Sequence, residues 1–186
     1  MNRTALIVGD LQAGIVDNYA FAAGVVPAVQ QALSAARDSG IPVVFIRFGL
    51  LPSGLDLGEG NTVVRGLHAA GDLFHDSSPE TLVHPSIAPL PGETVVLKRR
   101  ASAFSGTDLD RVLRAQGVDR LVVTGVATSA MVAATVYDAA DRDYGLTVLS
   151  DGCADAEQDV HDFLVGRIFP ARGVEVLTSA EWAARR

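Results

Sequence analysis

The chain has 186 residues, of which 48% are hydrophobic, 20% charged and 6% aromatic. That is enough to bury one core built from Val, Leu, Ile and Ala but too little for two full α/β domains, so a single domain spanning 1–186 is expected. Fifteen Lys and Arg against 22 Asp and Glu give a formal net charge of -7, which disfavours nucleic acid and anionic lipid surfaces as partners.

No apolar run approaches the roughly 20 residues of a membrane helix. The opening Met1-Asn2-Arg3-Thr4 passes directly into Ala5-Leu6-Ile7-Val8, too brief for a signal sequence and suited to a strand. A single cysteine, Cys153, makes no internal disulfide and calls for no oxidising compartment, so a cytoplasmic location is expected.

Short runs of Val, Ile and Leu alternate with longer stretches of helical period, the pattern of parallel strands covered on both faces. Six strands are predicted, at Ala5 to Gly9, Pro42 to Arg47, Thr94 to Lys98, Arg120 to Thr124, Leu146 to Ser150 and Val174 to Leu177. The fold class is therefore a three-layer α/β/α doubly wound sheet of about six parallel strands. After the first strand, Val25, Val29, Ala32, Leu33 and Ala36 recur at helical spacing, and Ser39-Gly40 ends that helix. From Phe48 to Gly92 the rhythm breaks into a Gly- and Pro-rich excursion, expected to shape a pocket or a subunit contact. Thr107 and Asp108 then open a helix ending at Gly117, and further helices are predicted over Ser129 to Arg142 and Ala156 to Phe169. At the end, Thr178-Ser179-Ala180-Glu181-Trp182 reads as a capped short helix docked by its tryptophan.

In an open parallel sheet the ligand sits beyond the carboxyl ends of the strands, where the strand order reverses. The polar residues there are Asp10 and Gln12, Arg47, Lys98, Thr128 and Ser129, and Asp151. Asp10 fits either a proton-transferring carboxyl at the mouth of a central strand or the cap of a following turn. Lys98 fits either a partner for Asp10 or an amine carried out to solvent on its stem. Gly125 to Met131 leads from a strand into a helix start, where backbone amides suit an anion or an oxyanion. The cluster Lys98-Arg99-Arg100 is too short for a polybasic tract. His68, His75, His84 and His161 contain no pair at close metal-ligand spacing, so neither a metal nor another cofactor is expected.

Three segments together resemble the isochorismatase-like hydrolase superfamily, which includes isochorismatases and nicotinamidases. They are Ala5-Leu6-Ile7-Val8-Gly9-Asp10-Leu11-Gln12, then Lys98-Arg99-Arg100-Ala101-Ser102-Ala103-Phe104-Ser105-Gly106-Thr107, then Val123-Thr124-Gly125-Val126-Ala127-Thr128-Ser129-Ala130-Met131-Val132. The resemblance implies that Asp10 and Lys98 are catalytic and that a non-proline cis bond precedes Ala127. It also implies substrate-binding positions at Gln12, Arg47, Phe104, Ala127, Thr128 and Ala130. Met131 stands where the nucleophilic cysteine of such proteins is placed, and a thioether has no proton to lose and forms no acyl-enzyme.

The thiol route is thereby closed at this position, and Cys153 lies one strand further along the sheet. What the resemblance leaves open is the route of members acting on a vinyl ether: Asp10 as general acid, Lys98 orienting or neutralising a carboxylate, and water capturing the cation. The expected function is an Asp-dependent, non-thiol hydrolase of a small carboxylated molecule, with Arg47, Arg99 or Arg100 as further anion-holding candidates. The alternative is a catalytically degenerate member with a ligand-binding or assembly role. Members of the superfamily usually form dimers or larger oligomers, so a homo-oligomer is expected as well.

Overall fold

The structure, a computed structural model, describes residues 3–186; Met1 and Asn2 of the opening segment lie outside the described residues. Six strands form one sheet: β1 (Arg3–Gly9), β2 (Val43–Phe48), β3 (Thr94–Lys98), β4 (Val118–Val126), β5 (Gly145–Ala154) and β6 (Glu175–Leu177). Their order is β3-β2-β1-β4-β5-β6 and every neighbouring pair is parallel. The chain fills one half of the sheet outward from β1, then returns to β4 on the other side of β1. The switch point therefore falls between the carboxyl ends of β1 and β4.

Because side chains alternate across a strand, each central strand feeds two cores. Ile7, Ile46, Val123 and Val148 join the cluster beneath Leu109, Leu113, Val136 and Phe169. Leu6, Val8, Phe45 and Leu149 join the opposite cluster with Val29, Leu33 and Trp182. The covering helices are α1 (Ala13–Asn18), α2 (Ala20–Gly24), α3 (Val26–Asp38), α4 (Thr62–Ala69), α5 (Leu109–Ala115), α6 (Ala133–Ala140), α7 (Gln158–Phe163), α8 (Phe169–Ala171) and α9 (Ser179–Ala183). Among the described residues no helix is long and apolar enough to cross a membrane.

The α/β/α architecture expected from the sequence is present, with four local differences. The helix predicted to start at Ser129 opens instead with a wide π-type turn, Thr128–Val132, before α6. The one predicted over Ala156 to Phe169 is α7 followed by a second such turn, Leu164–Ile168. Strand β5 runs to Ala154, beyond the predicted Ser150, because the pairing with β4 slips between Val123 and Gly125 and brings Cys153 opposite Gly125. The excursion contains α4, which a sequence broken by Gly66 conceals, although Asn61 caps it by accepting from the Val64 amide at 3.1 Å. At the other end Thr178 and Glu181 form a reciprocal capping box and Trp182 is fully buried, as the sequence led one to expect.

Where the two halves of the sheet meet, the strands approach too closely for side chains. Gly125 has φ +123°, and a Cβ there would stand 2.0 Å from the Gly9 carbonyl oxygen. Gly125→Ala is accordingly expected to lower the unfolding free energy by about 3 kcal/mol, through left-handed strain and a backbone clash that no rotamer relieves. A denaturant titration measures it, and a change under about 0.5 kcal/mol, the scale of an ordinary surface substitution, would show that the junction is not so tight.

Candidate functional site

Asp10 is the first residue beyond β1. Its backbone adopts φ +55°, rare for a residue with a side chain, while its amide donates to the Ile46 carbonyl at 2.9 Å. The apolar run before it forces the strand deep into the sheet, and the sharp turn after Gly9 leaves the carboxyl at the switch point. Lys98 ends β3, two strands away, a separation of about 9.6 Å at the usual strand spacing. Only a long side chain spans that gap. The Lys98 stem crosses the end of β2, its ammonium lies 4.9 Å from the centre of the Phe48 ring, and Nζ meets Asp10 Oδ2 at 2.8 Å. The Arg100 carbonyl accepts from the same ammonium at 3.0 Å.

Both members of this pair are buried, Lys98 at 2% and Asp10 at 7% exposure. Among the described residues Asp10 Oδ1 has no hydrogen-bond partner. Burial pushes the Asp10 pKa up, the Lys98 charge and its hydrogen bond pull it back, and the net direction is upward. Asp10 therefore keeps its proton to higher pH than an ordinary carboxyl.

The pair forms the polar floor of a cavity of about 280 Å³. Met131, Ala127 and Ala130 line it from the turn after β4, Phe48 and Ala101 from the strand ends, and Ile15, Tyr19 and Phe21 from α1 and α2. Val63, Val64, Leu67 and Phe74 come from the excursion, which thus does shape a pocket. Sequence reasoning missed these four, as it missed Ile15, Tyr19, Phe21, Phe48 and Ala101. For α4 the signal was present in the spacing of Val63, Val64 and Leu67 behind a capping asparagine.

Met131 is 1% exposed and its sulfur accepts from the Thr135 hydroxyl at 3.5 Å. Its methyl end lies over Gly9, where a Cβ would be 1.8 Å from Met131 Cε, so the thioether occupies the space that a bare Gly9 leaves free. Cys153 does not reach the cavity. It is buried on β5 with its sulfur toward the Val123 carbonyl at 3.7 Å, and burial pushes its thiol pKa up to about 12.

Of the positions that the resemblance marked for substrate, Ala127 and Ala130 line the cavity. The other four do not, and each has another partner. Gln12 is fully buried and clamps the end of β2, donating to the Phe48 carbonyl at 2.9 Å and accepting from the Phe48 amide at 2.6 Å. Arg47 donates to Thr81 Oγ1 at 3.1 Å, on the excursion. Phe104 packs in the core near the Tyr144 ring, 5.8 Å between centres. Thr128 is buried with its hydroxyl 2.8 Å from His161 Nδ1. The peptide between Val126 and Ala127 is cis. The amides of the turn are largely satisfied within the chain, Ser129 donating to Asp155 Oδ2 at 2.7 Å and Ala130 to the Ala127 carbonyl at 3.1 Å. Among the described residues no group of three or more His, Cys, Asp or Glu is disposed to hold a metal ion.

A doubly wound parallel sheet with a buried acid and amine facing an apolar cavity at its switch point places the molecule among α/β proteins with a small-molecule site. The chain belongs to the isochorismatase family: the Isochorismatase domain matches residues 4–181. It is 33% identical over 165 residues to a maleamate amidohydrolase of Pseudomonas putida, covering 86% of this chain and 76% of that protein. It is 34% identical over 169 residues to a ureidoacrylate amidohydrolase of Methylobacterium radiotolerans, covering 80% of this chain and 66% of the other. The crystal structure of a cysteine hydrolase from Pseudomonas syringae pv. phaseolicola superimposes with a TM-score of 0.91 at 28% identity, covering 98% of this chain and 92% of that one.

Removing Lys98 would leave the Asp10 carboxyl alone in an apolar wall. Lys98→Met is expected to lower stability at pH 7 by about 3 kcal/mol. Since the lost ammonium is what pulls the Asp10 pKa down, its removal raises that pKa further, and stability is then lost as pH rises through it. The deficit should shrink in acid as Asp10 becomes neutral. Thermal unfolding of both proteins across pH 4 to 8 reads this; a deficit that grows toward acid would contradict it.

Proposed function

We propose that this protein is a hydrolase of a small molecule that uses Asp10 as a general acid and no thiol. The observation that carries the reading is Asp10 itself, a buried carboxyl in the cavity wall with one oxygen held by Lys98, the other without a partner, and a pKa raised by burial. The maleamate and ureidoacrylate hydrolases named above support hydrolysis as the class of reaction. Their amide chemistry does not transfer through a thiolate here, because Met131 has none to offer and the Cys153 thiol is held protonated away from the cavity.

A bond cleaved by protonation, such as an enol ether, suits this site. Asp10 Oδ1 gives its proton to the alkene carbon, and the carbon-carbon π pair forms the new C–H bond while the ether oxygen shares the positive charge. Water adds to the charged carbon and returns a proton to Asp10. The hemiketal then breaks its C–O bond to the ether oxygen, which takes up the proton that the hydroxyl gives up as it becomes a carbonyl, giving an alcohol and a carbonyl compound. Lys98 orients the carboxyl and offsets the charge left on it after transfer. The apolar wall excludes competing water and raises the pKa at which Asp10 takes up its proton.

Across a panel of small enol ethers, esters and amides, Asp10→Asn should lower kcat/KM for any turned-over compound by at least about 100-fold, while Met131→Ala changes KM more than kcat. Because the acid form is the active one, kcat/KM should be level at low pH and fall as pH rises through a pKa above the ordinary carboxyl value of about 3.9. Full activity in the Asn variant, or a profile that rises with pH, would refute the reading.

A further inference from the structure

We infer that the cavity takes an uncharged, mainly apolar molecule with a single hydrogen-bonding group at its buried end, in place of the carboxylate expected from the sequence. The inference rests on reading this cavity as the substrate site. Among the described residues Lys98 is the one cation in its lining, and it is paired with Asp10 at 2.8 Å. The Arg100 carbonyl takes a second contact of that ammonium at 3.0 Å, and the Phe48 ring lies 4.9 Å from it. A carboxylate entering the cavity would therefore meet no free cation and would bring a second negative charge beside Asp10.

The arginines beside the strand ends are turned to other partners. Arg47 donates to Thr81, Arg99 to Asp76 Oδ2 at 2.7 Å and to the Gly49 carbonyl, and Arg100 to the Asp56 and Arg99 carbonyls. None of the three lines the cavity. The start of the helix after β4, the other place an anion could bind, already holds one: Asp155 Oδ2 accepts from the Ser129 amide at 2.7 Å.

What the cavity does offer is hydrocarbon. Phe48, Phe74, Val64 and Met131 are buried in its wall, while Val63 and Tyr19, 72% and 40% exposed, form an apolar rim that water covers at a cost. Its volume of about 280 Å³ lies at the small end of the roughly 300–1,000 Å³ typical of ligand pockets. At the buried end the free Oδ1 of Asp10 is left to hydrogen-bond a guest, accepting from an amide N–H when ionised and donating to an ether, amide or carbonyl oxygen when protonated.

Calorimetric titration of the full chain with matched probes tests this: hexanamide against hexanoate, and benzamide against benzoate, at neutral pH. The amide of each pair should bind at least about tenfold more tightly than its carboxylate. Ala130→Phe, at an exposed part of the lining, should weaken amide binding by a similar factor, and Val63→Trp on the rim checks the location independently. Carboxylates binding as well as the amides, or amide binding untouched by both obstructions, would overturn the inference. Turnover of butyl vinyl ether, measured in parallel, separates it from the proposed chemistry. Selective amide binding without turnover leaves the inference standing and removes the acid mechanism, whereas Asp10-dependent turnover with carboxylate preference does the reverse.

Discussion

The contact between Lys98 Nζ and Asp10 Oδ2 joins the two ends of one half of the sheet, and much of the site's design follows from its cost. Withdrawing an ammonium and a carboxylate from water is unfavourable by several kcal/mol for each ion, and their attraction repays that only with good geometry and further polar partners. Here the geometry is imposed from both sides. The ammonium has the Arg100 carbonyl and the face of Phe48, and Phe48 is itself fixed through two hydrogen bonds to Gln12. The carboxyl has only Lys98, so one oxygen stays unsatisfied in an apolar wall. A purely structural ion pair would gain from closing that oxygen off. Leaving it open makes Asp10 a stronger base than a solvated carboxylate and a proton carrier at higher pH.

Met131 is best understood within the same frame. It packs over Gly9 and against Thr135, completes the cavity wall and leaves the acid and amine undisturbed. Its thioether offers no nucleophile and does not fill the site. With Arg47, Arg99 and Arg100 all engaged outside the cavity, the lining has one neutralised pair and is otherwise hydrocarbon apart from the Tyr19 hydroxyl at the rim. Among the described residues the wall holds neither a thiol nor a cation other than the paired Lys98, which is what the proposed uncharged guest requires.

Much of this was legible in the residues. The strand cores, their parallel arrangement and the capped terminal helix follow from apolar runs and capping residues, whereas strand-end positions left Lys98 open between Asp10 and solvent, and only the family resemblance paired the two. The identity of the cavity wall was not legible. Gln12, Phe104 and Thr128 stand in the right segments, yet their side chains are drawn to Phe48, Tyr144 and His161, partners 33 to 40 residues away that no local pattern reveals. Arg47 is drawn outward in the same way by Thr81. Helix α4 was hidden by the glycines around it, so the apolar half of the cavity was missed and the arginines beside the motif were read as anion holders. The strand slip near Gly125 depends on the close approach of two backbones, which spacing along one chain does not encode.

The proton held by Asp10 decides between an acid and a structural clamp, and a carboxyl-detected NMR titration of that residue tests it most directly. An apparent pKa clearly above the reference value of 3.8, rising further in Lys98→Met, is the predicted result. A value at or below the reference, with Asp10 ionised throughout the neutral and mildly acidic range, would contradict it and leave the pair as a structural clamp.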